Sequence, residues 1–212
     1  MPVNEDAKKQ GLEFTETMRG FFVRDPQADF QQLDVEKPDG AESFEFTLTV
    51  LSNDLDALLG NPDHRASLNG IVSSPSLSAE TMNVADGVFN LFVENADEVE
   101  TRNMIYRCCM NDGSGKPFFM HGYKTIRPGS PLLIWHDTTT LYITLYDGAD
   151  ETSPVLGRGI LRIEPMDFAK QLTTMRAPDS KDKVEELKGL ARFGVFFADT
   201  LYRTYGGVFD IE

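Results

Sequence analysis

The chain is predicted to be mainly β, an antiparallel up-and-down meander closed into a barrel and followed by a long C-terminal α-helix. Three observations carry this prediction. Apolar and polar residues alternate with a period of two in one segment after another, most cleanly where Phe44, Phe46, Leu48 and Val50 alternate with Glu45, Thr47 and Thr49, as a half-buried strand requires. About eight such segments follow one another through short turns without crossover helices, which excludes a parallel α/β fold. Beyond Glu164 the spacing of apolar residues becomes helical, and residues 179–206 read as one amphipathic helix.

Taken in order, residues 1–13 are polar and read as a disordered N-terminus, and residues 14–212 as a single domain. The segment FTETMRGFFV is short and mixed, with Gly20 at an expected bend. Residues 24–43 are acidic, carry Pro26 and Pro38 and end in Asp39-Gly40, so they are expected as a surface loop held to the body by Phe30 and Leu33. After the strand from Ser43, Asn53 or Asp54 can cap the short helix DLDALL, which Gly60 and Pro62 stop. ASLNGIVSS follows as a strand with Gly70 at a bulge. TMNVADGVFNLFV reads as a hairpin turning at Asp86-Gly87, because a tight turn needs positive φ there. In NMIYRCCM the apolar parity is Met104, Tyr106, Cys108 and Met110.

The turn from Asn111 to Gly115 returns the chain as KPFFMHGYKTIR, and RPGSP reverses it again. LLIWHDTTTLYITLYDG is either one long strand or two joined at His136-Asp137, and LGRGILRIE is the last main strand. Phe168, Leu172 and Met175 lie at helical spacing. In the final helix Asp179 or Ser180 is the expected N-cap and Gly206-Gly207 the stop. Val184, Leu187, Ala191, Gly194, Ala198, Leu201 and Tyr205 make one stripe, which Phe193, Phe196 and Phe197 broaden. Closure removes the exposed edges of so long a meander, so a lipocalin-like barrel is preferred to a β-sandwich.

Twenty basic against 34 acidic residues give a net charge of -14, a field that repels nucleic acid and anionic membrane surfaces. No apolar leader and no run of 18 apolar residues is present, so the chain is expected to be cytoplasmic, without a membrane span. Cys108 and Cys109 are adjacent on a strand and point to opposite faces, where a disulfide between them would be strained. His64, His121 and His136 have no metal-ligand spacing, and neither a metal nor a cofactor is expected.

The stretch from Phe118 to Gly148 concentrates the chemistry, with the only Trp and two of the three His residues. Leu141, Ile143 and Leu145 lie on one face of its last strand and Tyr142, Thr144 and Tyr146 on the other. Pairing this strand with FFMHGYKTI brings His121, Tyr123, His136 and Tyr142 either onto one cavity wall or onto the solvated outer face. A His beside a carboxylate, as in His136-Asp137, is the usual way to hold an imidazole as a base, yet adjacent strand residues face opposite ways. Arg19, Lys124 and Arg127 are expected as exposed partners for the many acids. No complete catalytic motif is present, and no catalytic residue is assigned.

Through FTETMRGFF, GIVSSPSLS to GVFNLFV, WHDTTTLYITLYDG and GRGILRIEPMDFAKQLTTMRA, the chain resembles the accessory segment that accompanies glucose-methanol-choline flavin oxidoreductases of the cholesterol-oxidase-like kind. The resemblance spans about residues 14–177 and is most specific at 135–142 and 159–175. No GxGxxG follows a strand, so the flavin-binding half of those enzymes is absent, and Gly113-Ser114-Gly115 sits in a turn, not in a nucleophile elbow. The resemblance implies an accessory domain near lipid or sterol chemistry, with a flavin-dependent oxidoreductase as partner.

The expected function is therefore binding of a hydrophobic, lipid- or sterol-like small molecule inside the barrel, with Trp135, His136, His121, Tyr123 and Tyr142 as ligand-binding residues. The alternative is a small isomerase, cyclase or hydrolase using His-based acid–base chemistry on a hydrophobic substrate. The Phe-rich face of the last helix packs on the barrel or forms a docking face, through which a homodimer is conceivable.

Overall fold

The computed structural model describes residues 8–206. They form a closed antiparallel barrel in which each strand pairs with its neighbours in sequence and the last pairs with the first. The strands are β1 (Leu12–Val23), β2 (Glu42–Ser52), β3 (Arg65–Ser73), β4 (Met82–Glu94), β5 (Arg102–Asn111), β6 (Pro117–Ile126), β7 (Thr140–Tyr146) and β8 (Val155–Arg162). The helices are α1 (Phe30–Val35), α2 (Leu55–Gly60), α3 (Ile134–Thr139), α4 (Pro165–Thr174) and α5 (Lys183–Gly206). Residues 1–7 of the expected disordered N-terminus lie outside the described residues. Lys9 already pairs with Asp54 at 2.5 Å, and β1 begins at Leu12.

Alternation decides what faces inward. Phe44, Phe46, Leu48 and Val50 of β2, Met104, Tyr106, Cys108 and Met110 of β5, and Leu141, Ile143 and Leu145 of β7 are all buried in one core. Burial in that core pushes the Cys108 thiol up to about 12, which suits a packing residue and not a nucleophile. Both cysteines are free. Phe22 and Phe44 meet edge to face at 6.2 Å, and most of the barrel is filled by such side chains.

The closing seam is short. β1 pairs with β2 from Leu12 to Phe22, but with β8 only from Arg19 to Val23. A Cβ at Gly20, Gly157 or Gly159 would overlap a carbonyl oxygen across that seam, so glycine permits the close backbone approach there. Gly20 is thus inside a strand and not at a bend. Along the half of β1 that β8 leaves open runs α4: the Thr15 amide donates to Thr174 Oγ1 at 2.8 Å, and Glu13 pairs with Arg176.

Asp54 caps α2 by accepting from the Ala57 amide at 2.9 Å, and the register shifts at Gly70, both as the sequence predicts. The loop 24–43 contains α1, whose Leu33 packs on Phe21 and Ile160 on the outer barrel wall.

Four expectations change. Residues 82–94 are one strand, not a hairpin: Asp86 has φ 58, yet β4 runs on past it with a register shift against β5 between Val84 and Val88. Positive φ serves a bulge as well as a turn, and the apolar residues on both sides of it find partners in the same core. Residues 131–139 are a 3-10 turn followed by α3, not strand. The Ser130 hydroxyl caps the turn, Pro131 opens it, and the Thr138 and Thr139 hydroxyls donate back to Ile134 O and Trp135 O. The β-branched bias of the three threonines is thereby overridden locally.

In α5 the capping side chain is Asp182, which accepts from the Glu185 amide at 2.8 Å, in place of Asp179 or Ser180. The buried face of that helix carries Gly189, Phe193, Thr204 and Tyr205, with Phe196, Phe197 and Leu201 packed beside them; of the expected stripe only Leu201 and Tyr205 dock on the barrel, whereas Val184, Leu187, Ala191, Gly194 and Ala198 face solvent. Gly207 lies outside the described residues.

Candidate functional site

Under α5, side chains do not fill the end of the barrel. β6 pairs with β7 only from Phe119 to Tyr123, because α3 replaces the next stretch of strand. The mouth splays, and a cavity of about 460 Å³ forms between β1, β4, β5, β6 and the three helices α3, α4 and α5. That volume lies within the roughly 300–1,000 Å³ typical of small-molecule sites.

Its walls come from the inward parity of the strands, with Phe14, Phe89, Leu91 and Met104, and from Ile163 just after β8. The roof is α5, whose Phe193 lies 6.3 Å from Phe14 and whose Phe197 lies 4.9 Å from Phe92, ring to ring. Trp135 of α3 and Phe168 of α4 meet edge to face at 5.3 Å and form one side of the entrance. Trp135 remains 46% exposed, so this side opens to solvent.

The floor is charged. Glu16 takes an inward place on β1 among Leu12, Phe14 and Met18, and Lys124 an inward place on β6 among Met120 and Ile126. Lys124 Nζ donates to Glu16 Oε2 at 2.9 Å, with the two side chains only 2% and 5% exposed. Tyr106 OH donates to Glu16 Oε1 at 3.0 Å, and the Lys124 ammonium sits 5.3 Å from the centre of the Tyr106 ring. Burial, and then the Glu16 carboxylate, hold the Tyr106 phenol well above its usual range. From α4, Gln171 Nε2 approaches Glu16 Oε2 at 3.5 Å, while its buried Oε1 has no hydrogen-bond partner among the described residues.

Of the five residues expected to bind ligand, Trp135 alone lines this cavity. His121, Tyr123 and Tyr142 stand on the outer parity of β6 and β7. Tyr123 and Tyr142 pack on Phe30 of α1 at 6.0 and 5.5 Å and border an open surface groove. His136 is on the outside as well, and the helical turn brings it onto Asp137: its Nδ1 lies 3.1 Å from Asp137 Oδ1, and its Nε2 lies 3.0 Å from Asp34 Oδ2 of α1. Asp137 also accepts from Tyr205 OH of α5 at 2.6 Å, and Asp34 from Arg162 at 2.6 Å. This outer network ties α1, α3, β8 and the end of α5 together, which makes it a clasp for the roof. His64 is buried between α2 and α5, with Nδ1 2.7 Å from Leu58 O and its ring 5.1 Å from Phe196.

No family model, curated protein or solved structure matches this chain.

Glu16, Lys124 and Gln171 are polar residues of the site that the sequence does not single out as such, whereas Tyr106 takes the inward place its parity predicts. Lys124 was expected among exposed cations and is instead almost fully buried. The available signal was parity: a Glu on one apolar face and a Lys on another, of opposite sign, where each alone would be costly to bury.

Proposed function

We infer that the chain is a binding module for a hydrophobic small molecule, held in the cavity under α5 with its apolar body against Phe14, Leu91, Met104 and Trp135 and its polar end at Glu16 and Lys124. The observation that carries this reading is an apolar cavity of about 460 Å³ with a single buried polar cluster on its floor, the layout by which small-molecule sites fix orientation. The likeness to the accessory segment of cholesterol-oxidase-like enzymes supports an apolar, lipid- or sterol-like ligand and a flavin oxidoreductase as the partner that would act on it.

The only Trp of the chain lines the entrance, so its emission reports occupancy. Titration with a panel of sterols and medium-chain lipids is expected to give saturable quenching, weakened by the cavity-filling substitution Leu91→Phe. Absence of saturable quenching and of any ligand-induced rise in Tm across the panel would refute the reading.

A second reading, a small enzyme acting on a hydrophobic substrate, is favoured by the grouping of an acid, an amine and a phenol, all buried, on the floor of one cavity. Its acid–base pair would be Glu16 and Lys124 instead of a His, since His64, His121 and His136 all lie away from the cavity. Turnover of a substrate that disappears in Glu16→Gln while binding persists is the outcome that would support it.

A further inference from the structure

We propose that the cavity selects a neutral ligand whose polar end is a hydroxyl group, in preference to a ketone or a carboxylate. This rests on the binding reading given above and specifies the ligand class that reading leaves open. Lys124 carries three N–H donors, and among the described residues Glu16 is its only hydrogen-bond acceptor. Gln171 Oε1 is a buried acceptor without a donor among the described residues. Lys124 Nζ and Gln171 Nε2 both approach the same oxygen, Glu16 Oε2, at 2.9 and 3.5 Å, so the ammonium and the Gln171 side-chain amide sit beside one carboxylate oxygen of the floor.

The orientation of the Gln171 amide follows from the same contact: turning it over would set Oε1 against the Glu16 carboxylate and leave the N–H groups facing away. A hydroxyl is the small group that both accepts and donates. Its oxygen takes an N–H from Lys124 and its proton goes to Gln171 Oε1. A ketone satisfies Lys124 and leaves Gln171 unpaired. A carboxylate brings a second negative charge beside Glu16, whose charge Lys124 already balances, in a cavity walled by Phe14, Phe89, Leu91 and Met104. An alkane satisfies neither.

The test compares decan-1-ol, decan-2-one, decanoate and decane by competition for the cavity, read through Trp135 emission on the full chain. The alcohol is expected to bind about tenfold more tightly than the ketone, and the ketone more tightly than decanoate, since one well-placed hydrogen bond to a buried group is worth about that factor. In Gln171→Met the alcohol-to-ketone ratio is expected to fall to about one with ketone binding unchanged. A ketone or decanoate that binds as tightly as the alcohol overturns the proposal and leaves the binding reading standing. If none of the four binds, the proposal falls, and the sterol and lipid panel decides the binding reading. Should Gln171→Met not fold, as judged by circular dichroism, the ratios on the unaltered chain decide alone.

Discussion

Replacing Lys124 by Met is the most direct probe of the cavity floor. The pair Lys124–Glu16 is held at 2.9 Å with side chains 2% and 5% exposed. At that distance the attraction is about 6 kcal/mol for an effective dielectric of about 20, offset by several kcal/mol of lost hydration for each ion. The net worth of the pair is therefore small, but the penalty for breaking it is not. Met keeps the length and apolar stem of Lys while leaving Glu16 charged, buried and bound only by Tyr106 and the distant Gln171. Lys124→Met is expected to lower the unfolding free energy by about 3–5 kcal/mol in urea at pH 7.

Removing both charges, with Glu16→Leu added, should recover most of this and bring stability to within about 2 kcal/mol of the parent. The remaining deficit has a definite source: the Tyr106 hydroxyl loses its acceptor, a cost of about 1–3 kcal/mol for a buried donor. Adding Tyr106→Phe should remove that deficit. A loss below about 1 kcal/mol for Lys124→Met alone would refute the reasoning, because it would mean that Glu16 is hydrated and the floor of the cavity wet.

Two further outcomes test the roof and the outer wall. Tyr205→Phe deletes the 2.6 Å hydrogen bond to Asp137 that clasps the end of α5; a loss of about 1 kcal/mol and faster amide exchange in the last turns of α5, with the barrel strands unchanged, are expected by hydrogen exchange. His121 is held below its ordinary range by burial, which outweighs the raising effect of Glu151. The unfolded chain therefore binds the proton more readily, so stability is full above the unfolded value of about 6.5 and declines as pH falls below it. His121→Asn should flatten that decline below about pH 6.5 in urea titrations, and an unchanged slope would contradict the assignment.

The class of fold was legible because alternation is local. Phe44 to Val50 and Met104 to Met110 show their inward faces without reference to any partner, and the turn chemistry at Asn111–Gly115 orders the strands. Local chemistry misled where one signal serves two structures. Positive φ at Asp86 made a bulge, and the threonines after Trp135 back-bonded into a helix. That second difference matters for the site, since α3 in place of strand is what splays the mouth, turns Trp135 toward the cavity and swings His136 outside.

The amino-acid order by itself determined the meander, its inward parities, a cap at Asn53 or Asp54 and the final helix, since each depends on residues a few positions apart. Tertiary structure decided which residues meet: that the strands leave a cavity at one end, that Phe193 and Phe197 roof it, and that Glu16 and Lys124, 108 positions apart, become a pair. A strand shows which side a residue takes but not what lies opposite. Barrel closure fixed that, by bringing the first strand and the sixth to face each other across the interior.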